Sequence, residues 1–524
     1  AGGSAAPAAL AWLCLAALVA GLLYRLWPVA AGGEALARFF VTEDGYLMLT
    51  VARNLAIGNG LSVAAGEIRT NGVQTLATFL FALPYLATGG EKLSSLAGVL
   101  GLSALFAAAG AWAVHRFARA ALAPQDPDPA WPLLAAALWF CGPLLLFHSM
   151  NALETGLYTL TAVATITVFG HLVARGRAFR PAEQLLLGGL CGLVFLARND
   201  GAFLVTAIFL VRFVQAQASG TLPLRGAVAE LLPPGLLSLA IAAPWLAYNH
   251  SLFGSIVPIS GQSQSFDKPF GYNLDLAPAK LFETMFPMLP LPGSLEGNAA
   301  LSAALGLAAA GVLGIFLWRA MRRGGAVRAA LAAYALYAAM IFGYYALFFG
   351  APHFLSRYFA PVAPLLIVAA ISVGLDLARG LAGARGRTVA AGAGIAAVLL
   401  SLGLLARPLL PGAHQQGHFQ VVEWVRENVP EEAWVGAVQT GTLGYWHDRT
   451  INLDGKVNPA ALATLLEQGH ILDYVVDSRI DYLADWSGIA GWVERGNPRF
   501  AGAFEVVVED PARNLGVLRR RGPG

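Results

Sequence analysis

Residues 353–379 read HFLSRYFAPVAPLLIVAAISVGLDLAR, and this stretch decides the fold. After Arg357 nothing charged occurs until Asp376. A bilayer-spanning helix needs about 20 mostly apolar residues, and this run supplies them. The same reading repeats outward along the chain. Apolar runs fall at roughly 8–27, 72–88, 94–121, 131–147, 153–174, 183–197, 199–216, 227–249, 299–318, 328–349, 359–379 and 388–409. Of the 524 residues, 57% are hydrophobic and only 12% charged, whereas a soluble domain carries about a quarter charged residues. The sequence therefore predicts an α-helical polytopic membrane protein.

Several function classes drop out at once. The formal charge of +3 and the lack of a basic tract interleaved with aromatics leave no footprint for nucleic acid. No glycine loop ending in Lys-Ser or Lys-Thr is present, so ATP is not an expected partner. Cys14, Cys141 and Cys191 lie within apolar runs, with no spacing for a disulfide framework or a metal knuckle. Val29-Ala30-Ala31 resembles a signal-peptide cleavage site, but no Lys or Arg precedes the first apolar run. That run reads as a first membrane helix.

Arginine positions set the expected topology. They crowd the joints holding Arg116 and Arg119, Arg175 to Arg180, Arg319 to Arg328, and Arg379 to Arg387, and such an excess marks the cytoplasmic side. Loops 28–71 and 250–298 and the block 411–524 then share the opposite face. Parity requires that 72–121 cross only once, with 72–88 short, tilted or re-entrant. About eleven crossings follow, with the N-terminus inside and the C-terminus outside. The division expected is a membrane domain over 1–410 and an extracytoplasmic α/β domain over 411–524. In the latter, 418–428 reads as a helix and 433–438, 504–508 and 516–518 as strands.

Polar residues collect on that outer face. Thr42-Glu43-Asp44-Gly45-Tyr46 opens an amphipathic stretch. At 100° per residue Glu43, Tyr46, Thr50, Arg53 and Asn54 share one side, while Met48, Leu49, Ala52, Leu55 and Ala56 share the other. That pattern predicts a helix lying at the membrane surface. Asp44 is either its cap or a reactive acid. Glu154 and the cluster Arg198-Asn199-Asp200 sit at outer joints between apolar runs, where ionisable groups usually line a wet cavity. Arg357 stands on the outer side, against the arginine trend, and needs an anion: a protein carboxylate or a phosphate-bearing ligand. Gln262, Gln264, Asp267 and Lys268 in the long outer loop suit contacts to sugar or phosphate. Tyr344 and Tyr345 read as interfacial belt residues.

In four places the chain resembles the GT-C glycosyltransferases, membrane enzymes that take sugars from polyprenyl-phosphate carriers. The first is Glu43-Asp44-Gly45-Tyr46 with Arg53-Asn54-Leu55-Ala56-x-Gly58-x-Gly60 and Thr70-Asn71-Gly72-x-Gln74, which is similar to the first outer loop of the arabinofuranosyltransferase-like and GT39 mannosyltransferase-like branches. The others are Ala152-Leu153-Glu154-Thr155, Arg198-Asn199-Asp200-Gly201, and Ser356-Arg357-Tyr358 with Pro361 and Pro364. Glu43-Asp44 replaces the Asp-Asp of many relatives, and Arg198-Asn199-Asp200 departs from an Arg-Pro-Glu form. Gly441 to Tyr445 and Asn452 to Asn458 are similar to segments of the extracytoplasmic domains of such proteins.

The resemblance implies a GT-C fold and an inverting glycosyl transfer from a polyprenyl-phosphate-linked sugar. The acceptor would be a glycan, lipid or protein hydroxyl at the outer face of a bacterial inner membrane. It makes Asp44 the expected base, with Glu43 and Glu154 orienting the acceptor or, with Asp44, holding a divalent cation such as Mg or Mn. Arg357 would bind the leaving phosphate, with Arg53, Arg198, His353 and Lys268 as alternates. Tyr46, Asn54, Gln74, Asp200, Gln262 and Tyr358 would contact substrate. The rival readings are a transporter or flippase of lipid-linked saccharides, and a non-catalytic assembly protein on the same scaffold.

Overall fold

The computed structural model describes residues 5–265, 268–291, 297–323, 327–409 and 417–522. Among these, eight helical segments are long and apolar enough to cross a membrane, or nine when a bent pair counts as one span. The last segment, Pro352–Leu409, holds two 20-residue helices, Ala363–Ala382 and Gly386–Leu405. Counting these separately and adding the 17-residue helix Pro181–Ala197 reaches the expected eleven. Helix Thr75–Thr88 has only 14 residues, too few for a perpendicular crossing. The chain is a multi-pass membrane protein. Its helices turn large apolar side chains outward, with Leu381 80%, Leu307 75% and Trp12 74% exposed. In a bilayer those faces meet lipid rather than water.

The run over 131–147 is not one helix. Ala130–Cys141 and Pro143–Met150 meet at 59°, because Gly142 is extended (φ −61°, ψ 123°) and Pro143 has no N–H to continue the ladder. At the far end of Ala363–Ala382 from Arg357, the joint arginines find acids. Arg387 Nε lies 3.2 Å from Asp126 and Arg319 Nη1 lies 2.7 Å from Asp376, with Arg379 also paired to Asp126. Twenty helical residues separate the two ends by about 30 Å.

The last block begins with helix Phe419–Asn428 and builds a five-stranded sheet. Its strands are β1 (Val435–Ala437), β2 (Thr450–Asn452), β3 (Tyr482–Asp485), β4 (Phe504–Asp510) and β5 (Leu515–Arg520), in the order β2-β1-β3-β5-β4. The first three are parallel, joined through helical crossovers, and the last two are antiparallel. Val435, Leu483, Val517 and Leu518 are fully buried in it. Their β-branched and leucine side chains give the sheet its core.

Candidate active site

The site begins with one helix, α1 (Glu43–Ala56). Thr42 caps it by accepting the Gly45 N–H at 3.3 Å, so Asp44 is not the cap. Instead of lying on the membrane surface, α1 is buried on both sides, Tyr46, Met48, Leu49, Val51, Ala52 and Asn54 all being enclosed. The C-terminal domain covers the side that reads as polar. There the Tyr46 ring packs 4.9 Å from that of Tyr445, and its hydroxyl donates to Ala37 O at 2.5 Å.

Glu43 points into that domain. Its carboxylate accepts the N–H groups of Gly441 and Thr442, and the Thr442 hydroxyl, at the start of helix α2 (Gly441–Trp446). A Cβ at Gly441 would collide with the Glu43 carbonyl, so only glycine admits this approach. Glu43 is thus a clamp between domains and does not join Asp44 in a shared acid pair.

Asp44 points the other way, into a cavity of about 310 Å³. Three acids line it (Asp44, Glu154 and Asp200) with three cations (Arg198, Arg357 and Lys456). Arg357 Nη1 lies 3.4 Å from Asp44 Oδ2, and Lys456 Nζ lies 3.5 Å from Asp44 Oδ1. Burial opposes the Asp44 charge, but Lys456 and then Arg357 outweigh it and hold the carboxyl below its ordinary value. His353 adds a smaller pull in the same direction.

Arg198 organises the far wall. It donates to Asp200 at 2.7 and 3.1 Å, to Glu154 at 3.3 Å and to the Tyr345 hydroxyl at 2.6 Å. Its guanidinium lies 4.6 Å from the Tyr358 ring centroid, and that ring stacks on Tyr345 at 4.2 Å and 7°. Tyr345 is therefore part of a buried aromatic wall, not of an interfacial belt. Among the described side chains that line the cavity, two buried polar atoms have no protein partner, Glu154 Oε2 and Arg357 Nε. Leu47, Met48, Leu153, Phe203 and Val257 make the rest of the lining apolar.

Gln74, Asp200 and Tyr358 line the cavity with the groups above. Other expected residues lie elsewhere, for visible reasons. Arg53 is held by Gly90 O at 2.8 Å and Asp448 at 3.3 Å. Asn54 donates to Ser62 O at 2.9 Å, fixing the loop after α1. Gln262 turns back onto Val257 O at 2.9 Å, while Gln264, on the same short helix, does line the cavity. Lys268 lies exposed beside the Tyr272 ring, and His353 packs exposed on Phe354. Asp267 is outside the described residues.

A metal held by Glu43, Asp44 and Glu154 does not fit this arrangement. Glu43 is committed to α2, and Asp44 already sits between two cations. Among the described residues no three His, Cys, Asp or Glu side chains converge to hold a metal ion.

Sequence reasoning passed over Lys456. It lies in the segment Asn452 to Asn458, which the family resemblance marks without a role. Three contacts fix its loop. Ser263 donates to Asp454 O at 2.8 Å, the Lys456 N–H donates to Asp454 Oδ1 at 2.9 Å, and Gly72 leaves room for the Lys456 carbonyl.

Solved structures with this helix arrangement place the chain. It resembles ArnT from Cupriavidus metallidurans bound to undecaprenyl phosphate, with a TM-score of 0.55 at 13% identity over 97% of this chain and 99% of that one. The chain has the GT-C fold. ArnT from the same organism in the apo state gives a TM-score of 0.56 at 14% identity, over 99% and 100% of the two chains. The archaeal oligosaccharyltransferase AglB from Archaeoglobus fulgidus, in complex with an inhibitory peptide and a dolichol-phosphate, gives 0.55 at 14% identity, over 96% and 74%. Residues 407–512 match a family described as a domain of unknown function, DUF8728. No curated protein matches the chain by sequence.

Proposed function

We propose that this GT-C protein is an inverting glycosyltransferase acting on a polyprenyl-phosphate-linked sugar. It would transfer the sugar to a hydroxyl of a cell-envelope glycan, lipid or protein, at the extracytoplasmic face of a bacterial inner membrane. One observation carries the reading: a carboxylate, Asp44, and a buried arginine, Arg357, meet at 3.4 Å in the wall of one cavity. Solved proteins of the same fold hold undecaprenyl phosphate and dolichol-phosphate, which supports a lipid phosphate as the ligand.

In this reaction the acceptor oxygen attacks the anomeric carbon, and its proton passes to Asp44 as general base. The bond from that carbon to the phosphate oxygen breaks in line, and the electron pair leaves with the phosphate. Arg357 stabilises the charge that develops there through charge-assisted hydrogen bonds. Arg198, locked by Asp200, Glu154 and Tyr345, holds the aromatic wall against which the sugar would sit.

The test is transfer of labelled sugar from a panel of polyprenyl-phosphate donors by the purified protein and by Asp44→Asn. Turnover that collapses in the variant while donor binding persists supports the reading and identifies the sugar. Binding and bilayer translocation of donors without any transfer would favour a flippase instead.

A further inference from the structure

The membrane domain alone leaves the wall of this cavity unfinished. Lys456 comes from the C-terminal domain, and its ammonium sits across Asp44 from Arg357. Its own domain supplies one acid, Asp454, at 3.4 Å, and Asp44 supplies the other. His353 and Tyr358 are further titratable groups that interact with Asp44. Arg357 is 8% exposed, and its Nε has no protein partner. A buried donor left unpaired carries an energetic cost unless a ligand accepts from it. Asp44 therefore stands between two cations that bind its two carboxylate oxygens.

We propose that Lys456 is a second phosphate-binding residue of this site, and that Arg357 and Lys456 serve as a shared counter-ion, facing Asp44 before transfer and the departing phosphate after it. This rests on the glycosyl-transfer reading above and extends it to the C-terminal domain. The charge balance of the reaction is the reason for the arrangement. Before transfer, Asp44 carries one negative charge and the phosphodiester carries one. After transfer, Asp44 is protonated and neutral, and the phosphate monoester carries two. The total is unchanged, so two fixed cations held beside the base neutralise it throughout. Nothing in the site has to reorganise its charge while the proton and the sugar move, which is the condition for preorganised electrostatic stabilisation.

The geometry of the loop supports the assignment. Asp454 holds the Lys456 backbone, Ser263 of the long outer loop holds the Asp454 carbonyl, and Gly72 admits the Lys456 carbonyl against the first outer loop. Glu43, one residue before Asp44, binds the start of α2. The domain that carries Lys456 is thus tied down at two points flanking the residue it faces. A lysine that merely decorated a surface would not be placed by contacts from both outer loops.

The experiment measures the Kd of undecaprenyl phosphate for the full-length protein in nanodiscs, with inorganic phosphate alone as a second probe. Lys456→Met should weaken undecaprenyl phosphate binding about tenfold or more, since a charge-assisted contact is lost. Lys456→Arg should keep it within about threefold. Asp44→Asn should tighten it several-fold, because the carboxylate that competes for both cations is gone. This last arm does not depend on whether Lys456→Met folds normally. Competition by inorganic phosphate would show that the head group alone is recognised, and the lack of it that the lipid tail is also needed. The inference is overturned if Lys456→Met binds the lipid phosphate as wild type does, if Asp44→Asn fails to tighten binding, or if wild type binds neither probe. Phosphate binding that follows the expected pattern, with no sugar transfer from any donor, would defeat the glycosyl-transfer reading and leave the shared anion site standing.

Discussion

Glu43 and Asp44 are neighbours in sequence and part company in space, Glu43 clamping the start of α2 and Asp44 facing Arg357 at 3.4 Å in the cavity. Adjacent residues on a helix differ by about 100°, so two acids in one first turn serve two partners. Their substitutions should separate cleanly. Asp44→Asn is expected to lower sugar transfer by about 10²–10⁴, the range for losing a general base. Glu43→Gln should retain most turnover at low temperature and lose about 1–3 kcal/mol of stability, the range for losing charged hydrogen bonds. Parallel transfer assays and thermal unfolding of both variants check this, and equal loss of turnover in the two would contradict it.

The acid limb of the transfer rate should report Lys456. Burial raises the Asp44 pKa, while Lys456 and then Arg357 lower it by more, so the folded value lies below the ordinary 3.8. The base therefore stays ionised down to acid pH, and its ion pairs add stability that is lost only as pH falls through that depressed value. Removing Lys456 takes away the largest lowering influence. The kcat/KM profile of Lys456→Met is expected to show its acid limb at higher pH than wild type. A limb that stays in place would mean that Asp44 is not the group being titrated.

Gly441→Ala tests the domain contact without removing a charged group. The added Cβ meets the Glu43 carbonyl, a backbone atom that cannot rotate away. Overpacking of this kind typically costs about 1–3 kcal/mol, here taken from the docking of the C-terminal domain. Hydrogen exchange in α2 and in the 453–458 loop should speed up, and transfer should fall with it. Unchanged exchange would show that the domain is held by other contacts.

Asp485 gives the C-terminal domain its own pH dependence. Burial pushes its carboxyl up to about 7, against the N–H groups of Gln439, Trp486 and Val438 that it accepts. A carboxyl with a raised folded pKa keeps its proton in the folded state where the unfolded chain has lost it. Stability then falls as pH rises from about 4 to 7. Thermal unfolding followed across that range should show the decline, and Asp485→Asn should flatten it. A wild-type midpoint that rises from pH 5 to 7 by as much as that of Asp485→Asn would rule this out.

The membrane architecture was legible because dehydration imposes long apolar runs, and those runs are visible residue by residue. The β-strands of the last block were legible for a similar reason: Phe504 to Val508 and Gly516 to Leu518 announce themselves by composition, and they lie in β4 and β5. Asp44, Glu154, Arg198 and Arg357 could be picked out as charges at apolar boundaries. What they touch could not. The partners of Asp44, Arg357 and Lys456, are 313 and 412 residues away, and no local pattern encodes that approach. Tyr345 reads as a belt residue because an aromatic at an apolar boundary is usually one; only its stack on Tyr358 and its hydrogen bond to Asp200 place it in the cavity. The amphipathic pattern of α1 identified a helix correctly and its surroundings wrongly, since a polar face can be covered by another domain as readily as by water.

Helix Thr75–Thr88 starts beside Gln74, on the cavity wall, and turns Phe79, Leu83 and Leu86 outward. Its 14 residues cover about 21 Å, against a hydrocarbon core of about 30 Å. Lipid meeting this face must thin locally or let the interface dip toward the helix, the usual response to hydrophobic mismatch. Under the proposed function, a head group drawn down by that dip would approach the cavity from the side while its chain stays in the bilayer. On the same proposal, this 14-residue apolar helix would mark the side from which a lipid-borne ligand reaches the Asp44 cavity with the least displacement from the membrane.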